Sequence, residues 1–314
     1  MNRQFYKLIY RLGLRKPYAQ IDRLRYLHRL RKGKKNRQDE WAYQENDYLQ
    51  MRSGDVLICS SFRSFPLFFY CNPDSKIERA IISHGLYSPA TLELADIFLA
   101  ENSILVDIGA NIGSFSIPLA KAHPGIEVHA FEPNPAALER FQKNISINRV
   151  ENVFVKELAV GRQTGEFEFW AFENRDLALS TFRSPPKEGS RKIKVRMVRL
   201  DDLDLEGKRV CVIKIDTQGY ESEVLEGARG LIQRDRPPIL LEHEDYLFRS
   251  ENNGKKIKMD LKIFFHDLGY EVFYITRKDP FMLFPVQWDC MLNGDLLALP
   301  LRDSIIPAAT DLRK

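Results

Sequence analysis

From about residue 96 the apolar positions fall into short continuous runs separated by helical patterns. Ile104, Leu105, Val106 and Ile108 form one such run, ending in a glycine loop, and a helix follows from about Ser114 to Ala122. A short apolar run bounded by turn residues predicts a buried strand. Glu127 to Phe131 is the second strand. Asn134 can cap the next helix, Pro135 takes its first position, and Leu138, Phe141 and Ile145 share one face. Val153 to Val160 predicts a third strand. Glu166 to Phe172 and Lys192 to Arg199 alternate instead, so they predict antiparallel strands around an irregular loop. Val210 to Asp216 restores the buried pattern and leads into a helix with Val224, Leu225, Ala228 and Leu231 on one side. Ile239 to Glu242 is the next strand, and a helix through Leu261, Phe264, Phe265 and Leu268 stops at Gly269. Glu271 to Ile275 follows. Asn293-Gly294 then predicts a hairpin turn before a final antiparallel strand at Asp295 to Leu299. Strands and helices in alternation predict an α/β domain, with a mostly parallel sheet covered by helices on both faces. In such sheets ligands sit beyond the carboxyl ends of the strands.

Charge changes this picture at one end only. The net charge of +4 conceals a basic arm: residues 1–37 hold 13 Lys/Arg and the single acid Asp22, and the remainder carries a net −8. Phe5, Leu8, Ile9 and Leu12, then Ile21, Leu24, Leu27 and His28, predict two short amphipathic helices there. Such an arm suits peripheral contact with an anionic membrane surface, a nucleic-acid contact, or a solvated or oligomer-forming extension. Nucleic acid is the weaker option, because no aromatic-rich strand motif accompanies the charge. No run approaches the ~18–20 apolar residues of a membrane span, and Arg11, Arg15 and Lys16 interrupt any early secretory core. Cys59, Cys71, Cys211 and Cys290 show no paired spacing, which predicts buried free thiols and a cytoplasmic protein, with the inner membrane face open to it through the arm. The chain divides into the arm at 1–45, a lead-in at 46–95 that is a candidate acceptor cover, the α/β domain at 96–300 and a tail at 301–314. Oligomeric state is not legible.

The sharpest motif is the loop after the first strand, Val106-Asp107-Ile108-Gly109-Ala110-Asn111-Ile112-Gly113. Gly109 and Gly113 let the backbone approach a ligand, but alanine stands where a dinucleotide fingerprint needs its second glycine. Asp107 would repel a pyrophosphate at that turn. It suits a ligand with an ammonium group, such as S-adenosyl-L-methionine, while the helix N-terminus meets the ligand's carboxylate. Glu132, closing the second strand, can accept both ribose hydroxyls. Loop and acids together favour S-adenosyl-L-methionine over NAD; each alone also fits a glycine turn with surface acids.

Four segments carry a family resemblance: 106–113 above, Ala-Phe-Glu-Pro-Asn-Pro at 130–135, Leu-Asp-Asp-Leu at 200–203, and Lys-Ile-Asp-Thr-Gln-Gly-Tyr-Glu at 214–221. Their order and spacing resemble the FkbM-type methyltransferases over roughly residues 100–245. The resemblance implies a class I, Rossmann-like methyltransferase fold with a seven-stranded, mostly parallel sheet and one antiparallel strand. It also implies transfer to hydroxyls of sugars, glycolipids or polyketides. Thr217-Gln218 departs from the Val-Glu more usual in the family, which removes a negative charge near the site.

Asp216 falls at the carboxyl end of the fourth strand and is the first choice for general base or hydroxyl anchor, with a contact to the cofactor's methionine end as the alternative. Lys214 points to the same face, either to stabilise a forming alkoxide or simply to pair with Asp216. Glu242 is the next acid at that rim, and His243 beyond it is a lesser candidate base. Asp216 and Glu242 allow a shared divalent cation without requiring one, so no metal ligand is assigned. The cofactor set is Asp107, Gly109, Ala110, Asn111, Gly113, Glu132, Pro133 and Asn134, with Glu157 placed near the adenine. The rival functions are an RNA methyltransferase, and an inactive nucleotide-fold module that docks through the arm.

Overall fold

A computed structural model describes residues 49–50, 56–73, 75–173, 177–182, 189–205, 207–244, 251–276, 281–288 and 293–301. The basic arm, the tail and Cys290 lie outside these residues. The lead-in holds elements that periodicity did not reveal. β1 (Leu49–Gln50), β2 (Val56–Phe62) and β3 (Phe65–Cys71) form a small antiparallel sheet, followed by α1 (Lys76–His84) and α2 (Pro89–Phe98). Ile58, Leu67, Phe69 and Cys71 are buried on one face of the hairpin and join the core of the main domain.

The main domain opens with β4 (Ile104–Ile108), all of whose residues are buried, as expected for a strand covered on both faces. α3 (Ser116–Ala122), β5 (Glu127–Phe131), α4 (Pro135–Asn148) and β6 (Val153–Lys156) extend the parallel sheet in one direction. The chain then leaves the main sheet. β7 (Ala159–Val160), β8 (Gly165–Phe172) and β9 (Ser190–Val198) make a separate three-stranded sheet. The continuous third strand expected over 153–160 is therefore broken after Lys156, and its second half serves a different sheet. β10 (Val210–Ile215) returns to the opposite side of β4, and α5 (Glu221–Gly227) and α6 (Arg229–Asp235) precede β11 (Ile239–Glu244). The single helix expected here is two, yet Val224, Leu225, Ala228 and Leu231 are buried together in one core cluster.

α7 (Glu251–Asp267), β12 (Tyr270–Ile275), β13 (Leu283–Pro285) and β14 (Asn293–Pro300) complete the order β13-β12-β14-β11-β10-β4-β5-β6. β14 runs antiparallel between β11 and β12, as expected of the one reversed strand, and β13 adds an eighth strand, antiparallel at the edge. Asn293-Gly294 is not a turn. Both residues lie in β14, opposite Glu244 and His243 of β11. Of the described thiols Cys71 and Cys211 are buried, but Cys59 is exposed, contrary to the uniform expectation. No helix among the described residues is long and apolar enough to cross a membrane.

Two buried devices hold the lead-in on the domain. Asn144 and Asn148 of α4 accept the backbone N–H groups of Tyr70 and Phe68 at 2.8 and 2.9 Å, doing for the free edge of β3 what another strand would do. On α2, Asp96 is 1% exposed and binds Arg63 of the hairpin turn, while His123 Nε2 lies 2.6 Å from its other oxygen. These contacts tie α2 to the hairpin turn and to the end of α3, and the start of α2, at Ser88 and Thr91, lies by Lys214 of β10 and Glu242 of β11.

Candidate active site

β4 and β10 are neighbours whose connections leave in opposite directions, so a crevice must open between their carboxyl ends. The loop after β4 fills that crevice with backbone. Gly109 has φ +76°, and a Cβ on it would lie 1.9 Å from the Asp216 carbonyl oxygen; one on Gly113 would lie 2.2 Å from the Phe141 ring. Only glycine allows both approaches. Asn111, at φ 50°, donates its N–H to Glu132 Oε2 at 2.8 Å. The other Glu132 oxygen accepts the Asn134 N–H at 2.9 Å, and Asn134 Oδ1 accepts the Ala136 N–H at 3.0 Å to cap α4. One buried carboxylate thus fastens the loop to the following helix. Burial pushes its pKa up to about 7, against the pull of those N–H groups.

Two clefts meet at this turn. The first is lined by Gly109, Asn111, Glu132, Pro133, Leu158, Asp216, and an aromatic cover of Phe169, Phe182 and Tyr220. Phe182 bridges the other two rings, with centroids 4.8 and 4.9 Å away. The second cleft is lined by Tyr87, Ser88 and Thr91, with Phe115, Lys214, Glu242 and Asp295. Gly109, Asn111 and Asp216 line both. The described residues of the insertion between β7 and the end of β9, at 161–199, border the first cleft and not the second, whereas Tyr87 borders the second.

Lys214 organises the charges. Its Nζ donates to the Gly109 carbonyl at 3.1 Å and lies 3.3 Å from Asp107 and 3.6 Å from Asp216. Burial works against its charge, but the carboxylates of Asp107, Asp216 and Glu242 outweigh this and hold its pKa well above the ordinary lysine value. It is a fixed cation, not a proton acceptor. Asp216 also accepts a hydrogen bond from Gln218 Nε2 at 3.0 Å. Glu221 accepts the Thr217 and Gly219 N–H groups at 3.3 and 2.9 Å and so closes the loop that carries Asp216.

The residues singled out from sequence fall into two groups. Gly109, Asn111, Glu132, Pro133 and Asp216 line the first cleft, and Ala110, Lys214 and Glu242 join the second. The rest stand behind. Asp107 has no exposed surface, and the ammonium beside it is that of Lys214, with Ser116 Oγ donating to it at 2.6 Å. As placed, it supports the loop and lines neither cleft. Gly113 packs on Phe141, and Asn134 is 1% exposed, tied by Nδ2 to the Phe172 carbonyl and Ser180. Glu157 is exposed and borders neither cleft; the neighbouring Leu158, Ala159 and Val160 line the first cleft instead. His243 is buried on β11 and lies outside the lining of both clefts. Phe182, Tyr220, Ser88, Thr91 and Asp295 were not anticipated. For Asp295 the signal was obscured, because a misread Asn-Gly turn hid its register opposite Glu242.

Residues 107–272, more than half of the chain, match the family model described as the methyltransferase FkbM domain. The chain belongs to this family. It is a methyltransferase with the strand order of the class I fold. Methyltransferase 1 of Beauveria bassiana is 27% identical over 50% of this chain and 70% of its own length. The hexuronic acid methyltransferase AglP of Haloferax volcanii is 32% identical over 42% of this chain and 53% of its own. The 2-O-methyltransferase NoeI of Sinorhizobium fredii is 26% identical over 42% of this chain and 60% of its own. The chain thus spans only part of each relative.

Proposed function

We propose that this FkbM-family methyltransferase moves a methyl group from S-adenosyl-L-methionine to a hydroxyl of a sugar, glycolipid or related small-molecule acceptor. The observation that carries the reading is the pair of clefts sharing Gly109, Asn111 and Asp216. A donor in one and an acceptor in the other would meet at Asp216. The first cleft fits the donor. The oxygens of Glu132 retain lone pairs for ribose hydroxyls, and the aromatic cover fits a flat base. Asn111 Oδ1 is buried without a hydrogen-bond partner among the described residues. When bound, the cofactor supplies an electrophilic methyl on a cationic sulfur.

The chain's own part is positioning and proton handling. Lys214 keeps negative charge favourable on Asp216. Asp216 and Glu242 offer carboxylate oxygens that orient an acceptor hydroxyl and take its proton. Alignment of the two reactants contributes up to ~7–11 kcal/mol in the best geometry. AglP, a hexuronic acid methyltransferase, supports a sugar as acceptor, and NoeI, a 2-O-methyltransferase, supports transfer to oxygen. The basic arm supports peripheral contact with an anionic membrane surface, where a lipid-linked acceptor would lie.

Calorimetry with S-adenosyl-L-methionine and NADH tests the donor, and the expected result is binding of the first alone. Incubation with S-adenosyl-L-methionine and a panel of methyl glycosides, neutral and uronic, tests the acceptor by a gain of one methylene in mass. Asp216→Asn should reduce turnover at least 100-fold, on the scale of a lost general base. Unchanged turnover in that variant would remove Asp216 from the chemistry.

A further inference from the structure

Gln218 occupies a place in the site that the function above leaves unused. It follows Asp216 by two residues, and its backbone is left-handed at φ 53°. Its side-chain Nε2 donates to Asp216 Oδ1 at 3.0 Å. The amide orientation is fixed by chemistry, since a carboxylate can only accept and the amide nitrogen only donate. On the other side, the backbone carbonyl of Gln218 accepts a hydrogen bond from the hydroxyl of Thr181 at 3.0 Å. Thr181 belongs to the insertion: its N–H and carbonyl pair with Trp170 of β8 at 3.0 and 2.9 Å. Its neighbour Phe182 forms the centre of the aromatic cover. A short chain of bonds therefore runs from the cover over the first cleft, through Gln218, to the carboxylate that borders both clefts.

We propose that Gln218 is a positioning residue that orients Asp216 toward the acceptor and ties that orientation to the cover over the first cleft. The inference rests on the reading of Asp216 as the acceptor-side carboxylate. Asp216 Oδ2 faces Lys214 at 3.6 Å, and Gln218 occupies Oδ1. With both oxygens engaged from the protein, the plane of the carboxylate is set before an acceptor enters. The hydroxyl of Thr181 carries the link to the cover, so that the placement of Phe182 over the first cleft is tied to the loop bearing Asp216.

The test uses the full chain with Gln218→Met, which keeps the volume and loses the donor, with Thr181→Val, and with the two combined. The readouts are turnover on the best methyl glycoside of the panel, calorimetric affinity for S-adenosylhomocysteine, thermal midpoint, and a crystal structure of Gln218→Met. A hydrogen bond to a charged group predicts a fall in kcat of about 10–100-fold for Gln218→Met, with S-adenosylhomocysteine affinity within about twofold of wild type. Thr181→Val combined with Gln218→Met should be no slower than the worse single variant, and the crystal structure should show the Asp216 carboxylate rotated. Wild-type turnover in Gln218→Met, or an unmoved Asp216 in that variant, overturns the inference while leaving the methyltransfer reading intact. So does a loss confined to thermal midpoint and cofactor affinity. Asp216→Asn with full turnover, or a wild-type chain that methylates no hydroxyl of the panel, removes the reading beneath it and the inference with it.

Discussion

The Glu132 carboxyl sits near pH 7 because burial raises it more than the N–H groups of Asn134 and Asn111 lower it. Ribose hydroxyls donate to a carboxylate and gain less from the neutral acid, so a bound nucleoside prefers the ionised form. By linkage, nucleoside binding then expels a proton at low pH, and affinity must rise as pH rises toward 7. S-adenosylhomocysteine affinity measured at pH 6, 7 and 8 should strengthen up to about tenfold per unit below 7 and then level. Glu132→Gln should bind more weakly and flatten the slope. Parallel slopes in the two proteins would show that another group titrates. For the protein without ligand the sign is opposite. A raised carboxyl favours the folded chain most below its unfolded value of 4.5 and loses that contribution as pH passes through about 7. Wild type should therefore lose stability relative to Glu132→Gln between those values, measured by urea unfolding.

At the level of elements, α4 carries more than its apolar face announces. Leu138 and Phe141 are buried as their spacing requires, but Asn144 and Asn148 are 0% and 1% exposed as well. Asn144 accepts the Tyr70 N–H at 2.8 Å and donates to the Ile112 carbonyl at 3.0 Å, joining the hairpin β2–β3 to the glycine loop. Asn144→Ala leaves a buried donor and a buried acceptor without partners, at about 1–3 kcal/mol each. Its urea midpoint should fall accordingly, and S-adenosylhomocysteine affinity should fall with it because the loop loses an anchor. A stable variant with normal affinity would mean that water replaces the asparagine. The same helix shows where sequence patterning stops. Strands such as β4 and β10 declare themselves by continuous apolar runs, and the loop between β4 and α3 by its glycines. A polar residue used as a surrogate strand edge has no periodic signature, because its partner lies 74 residues away. The lead-in escaped for that reason. Phe182 and Tyr220 escaped too, since only the folded insertion brings their rings together. Asp107 reads from sequence as the partner of a ligand's ammonium group, but the ammonium beside it is that of Lys214 on the adjacent strand, which sheet pairing alone could supply.

Across the whole molecule, charge is divided along the chain: 13 Lys/Arg against one acid in residues 1–37, and a net −8 in the remainder. An anionic bilayer attracts the first and repels the second. Near such a surface each basic residue contributes about 1 kcal/mol, falling off within a Debye length. On that scale the arm would supply peripheral attachment even with only part of it at the surface. Attachment and catalysis are then separable, because every residue lining the two clefts lies beyond residue 86. Full-length protein should sediment with phosphatidylserine vesicles at low salt and be released as salt is raised. A chain lacking residues 2–37 should remain in the supernatant and keep its turnover on a soluble methyl glycoside. Equal binding to purely zwitterionic vesicles would show that charge is not the attraction. RNA binding through the arm that weakens steeply with salt, with no vesicle binding, would transfer the arm to a nucleic-acid partner. Loss of turnover on the soluble acceptor after truncation would mean instead that the arm belongs to the acceptor site.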